Sequence, residues 1–162
     1  MVLRFPRSLL TSTLAALLTT AAFLPATPQP VAARGGAGFV DLVNEHRSDA
    51  GVRPVRLHSV VEQIAIERAD QMASAKQMNH DLEFIGRRLR KAGVCVERIG
   101  EIVAYNTLSD SKRVRRFVNQ WYRSDPHRAI MLNSSYTHAA GSYTAASNGK
   151  LYAAMIFIRV CR

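Results

Sequence analysis

The sequence predicts an α+β domain in which helices and strands form layers. Stretches with helical apolar spacing and stretches rich in β-branched residues both occur, and they follow no βαβ rhythm. The chain also ends on two strand-like segments, 139–145 and 151–160, which the turn Ser147-Asn148-Gly149 joins as an antiparallel hairpin. The sequence contains no internal repeat and no low-complexity segment.

The first half of the chain is mainly helical. Apolar spacing predicts helices over 39–51, 59–76 and 82–91. Ser59 and Glu62 have the spacing of a capping box at the start of the second helix. The third helix is strongly basic, and Gly93 is placed as its C-terminal glycine.

The second half alternates strands and helices. A run of β-branched residues predicts a strand over 94–105, with a turn at Gly100. Helical spacing returns over 109–123. A short helix then begins at Asp125-Pro126, where proline suits the first turn, and runs through Leu132.

Residues 1–33 have the pattern of a secretory signal peptide. Arg4 and Arg7 precede a mostly apolar run over 9–23, and the small residues Val31-Ala32-Ala33 suit a signal peptidase. The run is shorter than the roughly 20 residues of a membrane-spanning helix, so we expect no transmembrane segment after cleavage. We expect a cleaved peptide over 1–33, a flexible start over 34–37 and one domain over 38–162. The expected location is secreted or extracellular, with the periplasm or cell envelope as alternatives.

The net charge of +10 favours anionic partners such as lipid head groups and cell-envelope polymers. Two predicted helices concentrate this charge, in the groups Arg87, Arg88, Arg90, Lys91 and Lys112, Arg113, Arg115, Arg116. These residues could equally form ordinary solvated faces. Export, and a basic surface without interleaved aromatic side chains, argue against nucleic acid as a partner.

Cys95 and Cys161 are the only cysteines. An isolated pair in an exported domain is expected to form one disulfide. Neither cysteine has the CxxC partner that a redox or zinc-thiolate site requires.

Two histidines and one acid stand in settings that suit a functional site. His80 follows the second helix, His127 begins the short helix after Trp121, and Glu101 lies among apolar residues, where a buried carboxylate needs a partner. Two imidazoles and a carboxylate can hold zinc with a fourth position open, or can perform acid–base chemistry without metal. Their spacing matches no diagnostic motif, so purely structural roles remain the alternative.

Short motifs occur in a fixed order along residues 38–160: Asn44-x-x-Arg47, Met78-Asn79-His80-Asp81, Gly100-Glu101-Ile102-Val103, Trp121-x-x-Ser124-x-x-His127-Arg128 and Ile130-Met131-Leu132-Asn133. In this order they resemble the CAP superfamily of cysteine-rich secretory, antigen 5 and pathogenesis-related 1 proteins, also called SCP domains. The similarity is strongest to the short bacterial branch.

The resemblance implies a secreted three-layer α-β-α sandwich with a mainly antiparallel central sheet. It also implies a cleft of two histidines and two acids, which holds a divalent metal in some members. Carried over to this chain, the metal ligands are His80, Glu101 and His127, and zinc is the expected metal. The second acid falls at Ser124, and Ile102 replaces the family's asparagine.

Three functions follow as expectations. The first is a binding module whose cleft holds a metal and whose surface engages lipid, sterol or anionic envelope polymer. The second is a protease-like hydrolase, with metal-activated water or Ser124 as nucleophile and a histidine as base. The missing second acid argues against it, and Ser124 also suits a helix N-cap. The third is a basic adhesive or structural protein. The balance favours binding over catalysis.

Overall fold

The computed structural model describes residues 36–107 and 112–162. The expected signal peptide, residues 34 and 35, and the beginning of the expected fourth helix at 109–111 lie outside the described residues. The helices and strands of the described part are α1 (Gly36–Asp49), β1 (Arg56–Leu57), α2 (Ser59–Ala75), α3 (Leu82–Lys91), β2 (Val96–Asn106), α4 (Arg113–Tyr122), α5 (Asp125–Met131), β3 (His138–Ala145) and β4 (Leu151–Val160).

One four-stranded sheet in the order β1-β3-β4-β2 forms the middle layer. β3 and β4 make the predicted antiparallel hairpin, and β2 pairs antiparallel with β4. β1 pairs parallel with β3, with Arg56 opposite His138 and Leu57 opposite Ala139. The sheet is therefore mixed, whereas a mainly antiparallel sheet was expected. Two residues are too few to show a strand pattern in sequence, so β1 becomes visible only in the structure.

Helices cover both faces of the sheet, which confirms the three-layer sandwich. α1, α4 and α5 pack on one face, and α2 and α3 pack on the other. β4 serves both cores, because Met155 and Phe157 pack in the first and Ile156 and Ile158 in the second. This double burial explains why residues 151–158 are apolar without alternation.

Asn44 and Arg47 of α1 hold two irregular segments in place. The Asn44 side chain donates to the Val55 carbonyl and accepts from the Val55 N–H, both at 2.9 Å. Arg47 is fully buried and donates to the carbonyls of Arg53, Met131 and Asn133 at 2.8, 2.6 and 3.1 Å. Burial lowers the pKa of Arg47, and carbonyls rather than an acid solvate its charge. The Asn-x-x-Arg motif is thus structural.

The beginnings of α1 and α2 both differ from the sequence-based expectation. α1 begins at Gly36, so Gly36 and Ala37 are helical and not part of a flexible start. The N-cap of α2 is His58, which makes no side-chain cap bond. A Cβ on Gly36 would lie 1.8 Å from Oε1 of Glu62. Glu62 therefore packs against the first turn of α1 and does not complete a capping box with Ser59.

Gly100 lies within β2, opposite Phe157, and not at a turn. The hydroxyl oxygen of Tyr136 would be 2.4 Å from a Cβ at this position. The missing side chain makes room for Tyr136, which is a common reason for glycine inside a strand.

The predicted disulfide between Cys95 and Cys161 is confirmed. The Cys161 N–H also donates to the Cys95 carbonyl at 3.1 Å, so the bond closes the ends of β2 and β4. On the loop-entropy model, a loop of this length stabilises the fold by about 4 kcal/mol.

Three helices end in left-handed residues. Gly51 and Gly93 follow α1 and α3 with φ values of 67° and 71°. Lys76 follows α2 in the same conformation, with φ 54° and ψ 27°. Its N–H donates to Ala73 and that of Gln77 to Met72, so the helix end is well bonded although its residue is not glycine.

We expect Lys76→Gly to stabilise the protein by about 0.5–1 kcal/mol. It removes the left-handed penalty of a Cβ, and the greater freedom of glycine in the unfolded chain offsets part of this gain. Urea unfolding would measure the difference. Lys76→Ala is the matched control, because it removes the charge and keeps the Cβ. An equal gain from both variants would contradict the backbone explanation.

Candidate functional site

A buried ion pair lies between α2 and β2. Nε of Arg68 is 2.8 Å from Oε1 of Glu101, and the two side chains are 1% and 0% exposed. The remaining guanidinium nitrogens of Arg68 donate to Gln71 Oε1 at 2.7 Å and to the Asn79 carbonyl at 2.6 Å. A buried charge is tolerated only when it is paired and hydrogen-bonded, and Arg68 meets both conditions.

The second oxygen of Glu101 holds the connection between α2 and α3. Oε2 lies 3.0 Å from Nδ1 of His80 and accepts the Asp81 N–H at 3.0 Å. An ionised carboxylate only accepts, so Nδ1 donates to it, and in that tautomer of the imidazole Nε2 carries the lone pair. The His80 side chain is 54% exposed, so that lone pair is accessible from outside.

Asp81 completes the connection. Its carboxylate accepts the Phe84 N–H at 2.8 Å and is the N-cap of α3. Residues 79–81 are thereby held by Arg68, by Glu101 and by the first turn of α3. The orientation of His80 depends on all three contacts.

His127 lies in the first turn of α5, beside the edge strand β2. Burial lowers its pKa below the ordinary 6.5, and the neighbouring charge of His80 lowers it further. The imidazole therefore stays neutral at neutral pH.

The structure brings His80 next to Glu101 and within electrostatic reach of His127. Within residues 36–107 and 112–162, however, no group of three or more His, Cys, Asp or Glu side chains is placed to hold a metal ion. Both oxygens of Glu101 already accept from Arg68, His80 and Asp81. A three-ligand site that includes Glu101 does not fit this arrangement.

Ser124 occupies the N-cap position of α5, but its hydroxyl makes no cap hydrogen bond. Its carbonyl accepts the Arg128 N–H at 2.8 Å. No hydrogen bond among the described residues joins its hydroxyl to an imidazole. Ile102 is fully buried in the core with α1, α4 and α5, on the opposite face of the sheet from the Glu101 carboxylate, which meets Arg68 of α2.

Arg68 is the site residue that sequence reasoning missed. It stands at the same helical spacing as Ile64 and Met72, inside the apolar stripe of α2. An arginine in such a stripe must be paired or solvated by the protein, and Glu101 in an apolar strand has the complementary need. Reading the two positions together would have predicted their contact.

Within the described part of the chain, no helix combines the length and apolar character that crossing a bilayer requires.

Comparison with known proteins agrees with this fold. The model of the cysteine-rich secretory protein family, CAP, matches residues 40–161. The uncharacterized protein YkwD of Bacillus subtilis is 23% identical over 107 residues, which are 64% of this chain and 40% of that protein. The chain thus spans less than half the length of this relative.

Two solved structures are similar in fold. One is a cysteine-rich secretory protein, SAV1118, of Staphylococcus aureus, with a TM-score of 0.62 and 23% identity over 76% of this chain and 37% of that one. The other is an extracellular protein containing a SCP domain from Bacillus anthracis, with a TM-score of 0.62 and 23% identity over 77% of this chain and 40% of that one.

We expect the pKa of His127, measured by NMR titration, to lie below 6.5. His80→Asn should raise this pKa by removing a neighbouring charge, but not to 6.5, because burial is the larger cause. The folded state then binds fewer protons than the unfolded state as pH falls through 6.5, so His127 reduces stability below that pH.

His138 is the internal control for this titration. Burial, His58 and Arg56 lower its pKa, and His80 does not contribute. A His127 pKa that does not move in His80→Asn, or a His138 pKa that moves equally, would contradict the proximity of His80 and His127.

Proposed function

Because this chain belongs to the cysteine-rich secretory protein (CAP) family, we propose that it is an extracellular binding module whose ligand occupies the cleft at His80 and His127. The observation that carries the proposal is the hydrogen bond from Nδ1 of His80 to Glu101, which Arg68 holds from behind. It fixes the imidazole and leaves Nε2 available to a ligand. Two further features support the same cleft: the exposure of His80 and the neutral state of His127.

We propose that the cleft can hold a divalent cation, with zinc as the best match, on His80 and His127. Histidines that ligate metals commonly donate their other ring N–H to a carboxylate, which is the contact that His80 makes with Glu101. Glu101 then acts as the outer partner of a ligand and not as a ligand itself. Bound zinc would supply a Lewis acid, and two imidazoles leave its other positions to water or to an anionic group of the ligand.

Apolar side chains beside His80 support a lipid or sterol as the organic ligand. Met78 and Leu82 are 43% and 48% exposed, and they flank His80 in the connection to α3. Exposed apolar side chains close to a polar anchor are typical of sites for amphipathic ligands.

A hydrolase is the second candidate. The His80–Glu101 pair has the form of a general base and the group that orients it. Ser124 lacks a hydrogen bond to either imidazole among the described residues, so the nucleophile of such an enzyme is less well supported. If Ser124 is the nucleophile, Ser124→Ala should abolish cleavage of model ester and peptide substrates, and His80→Ala should do the same. Activity that survives Ser124→Ala would exclude this role.

We expect zinc to bind the metal-stripped protein at one saturable site, measured by calorimetry at neutral pH. His80→Ala and His127→Ala should each abolish binding, since two imidazoles supply the protein ligands. His138→Ala is the matched control, because it removes an imidazole from β3, which does not neighbour β2 in the sheet. Binding that survives both cleft substitutions, or that is lost equally in the control, would contradict the site.

A further inference from the structure

A concave groove of about 450 Å³ lies at the end of the sheet where β1 and β3 begin and β4 ends. It is separate from the candidate site at His80, because none of its lining residues belongs to α2, α3, β2 or α5. The segments that line it are 53–56, 134–138 and 159–162.

Positive charge dominates this groove. The residues that line it include Arg53, Arg56, Arg159 and Arg162, and no Asp or Glu is among them. Arg159 is paired with Glu97 at 2.5 Å. Arg53 and Arg56 are exposed, and no carboxylate within the described ranges pairs with either of them.

The groove differs in this respect from the basic helices that the sequence singled out. On α3, Arg87 pairs with Glu83 and Arg88 pairs with Glu67. On α4, Arg115 pairs with Glu45 at 3.2 Å. Acids therefore neutralise part of both helical faces, whereas no Asp or Glu side chain among the described residues pairs with Arg53 or Arg56. A concave site lined by one sign of charge concentrates ions of the opposite sign.

Hydrogen bonds position the backbone that carries these arginines. The Arg53 carbonyl accepts from Nε of the buried Arg47 at 2.8 Å, and the Arg56 N–H donates to the Thr137 carbonyl at 3.0 Å. The disulfide anchors the third lining segment at Cys161. A ligand therefore meets positions that are already fixed, which lowers the ordering cost of binding.

We propose that this groove binds a linear phosphate-rich polyanion, the chemistry of a polyol-phosphate polymer of a cell envelope. The planar guanidinium donors of Arg53 and Arg56 match phosphate oxygens, and Ser134 and Thr137 are polar residues of the same lining. A membrane surface fits less well, because the site is concave and no large exposed apolar side chain lines it.

The test uses tripolyphosphate as the probe, with binding measured by calorimetry across a series of salt concentrations. In the variant Arg53→Gln with Arg56→Gln, the affinity for tripolyphosphate should fall and the slope of log affinity against log salt should become shallower, because two cationic groups near the anion are lost. The matched control is Arg90→Gln with Lys91→Gln, which removes the same charge from α3 and should retain the slope. His80→Ala should retain the affinity, and melting curves confirm that each variant is folded.

Three results would overturn the proposal. An equal loss in the α3 control would assign binding to net charge alone. A loss in His80→Ala would place the anion in the His80 cleft. Retention on phosphatidylglycerol vesicles that depends on Arg53 and Arg56, without binding of tripolyphosphate, would make the groove a membrane contact.

Discussion

The candidate site depends on one buried ion pair, Arg68 with Glu101. The Glu101 carboxylate is buried, and both of its oxygens are hydrogen-bonded. Oε1 accepts from the Arg68 guanidinium, and Oε2 contacts His80 and accepts the Asp81 N–H. Removing either charge would leave the other buried without compensation, which commonly costs about 3–5 kcal/mol. The pair is thus both a clamp between the α2 layer and the sheet and the support that sets the direction of the His80 ring.

Two buried arginines, Arg47 and Arg68, stabilise different parts of the fold by hydrogen bonding. Arg68 meets a carboxylate and supports the cleft, whereas Arg47 meets only carbonyls and joins α1 to the end of α5 and to the segment before β1. Carbonyls at the end of a helix carry partial negative charge, so the guanidinium is stabilised there without an ion pair. The two arginines hold opposite faces of the sheet, and each fixes irregular backbone that no regular hydrogen-bond ladder reaches.

Much of the fold was predictable because its signals are local. The bounds of α3 follow from its apolar spacing and from Gly93, and the final hairpin follows from a turn between two apolar runs. Features that arise from contacts between distant segments were not visible. Gly100 within β2 is needed because Tyr136 occupies the space where a side chain would lie, and Glu62 packs against Gly36 of a different helix. The site shows the same division: His80, Glu101 and His127 stand out by residue type, whereas Arg68 becomes meaningful only once its partner is known.

The position of the disulfide determines when it can form relative to synthesis and folding of the chain. Cys161 follows every helix and strand of the described part, and 66 positions separate it from Cys95. During synthesis the Cys95 thiol therefore stays unpaired until Cys161, which follows every described helix and strand, has been added to the chain. The bond cannot guide the assembly of the earlier layers and can only lock what hydrophobic burial has already built. For as long as those positions take to appear, the Cys95 thiol is open to capture by another chain. Rapid pairing of β4 with β2 therefore also limits the formation of intermolecular disulfides.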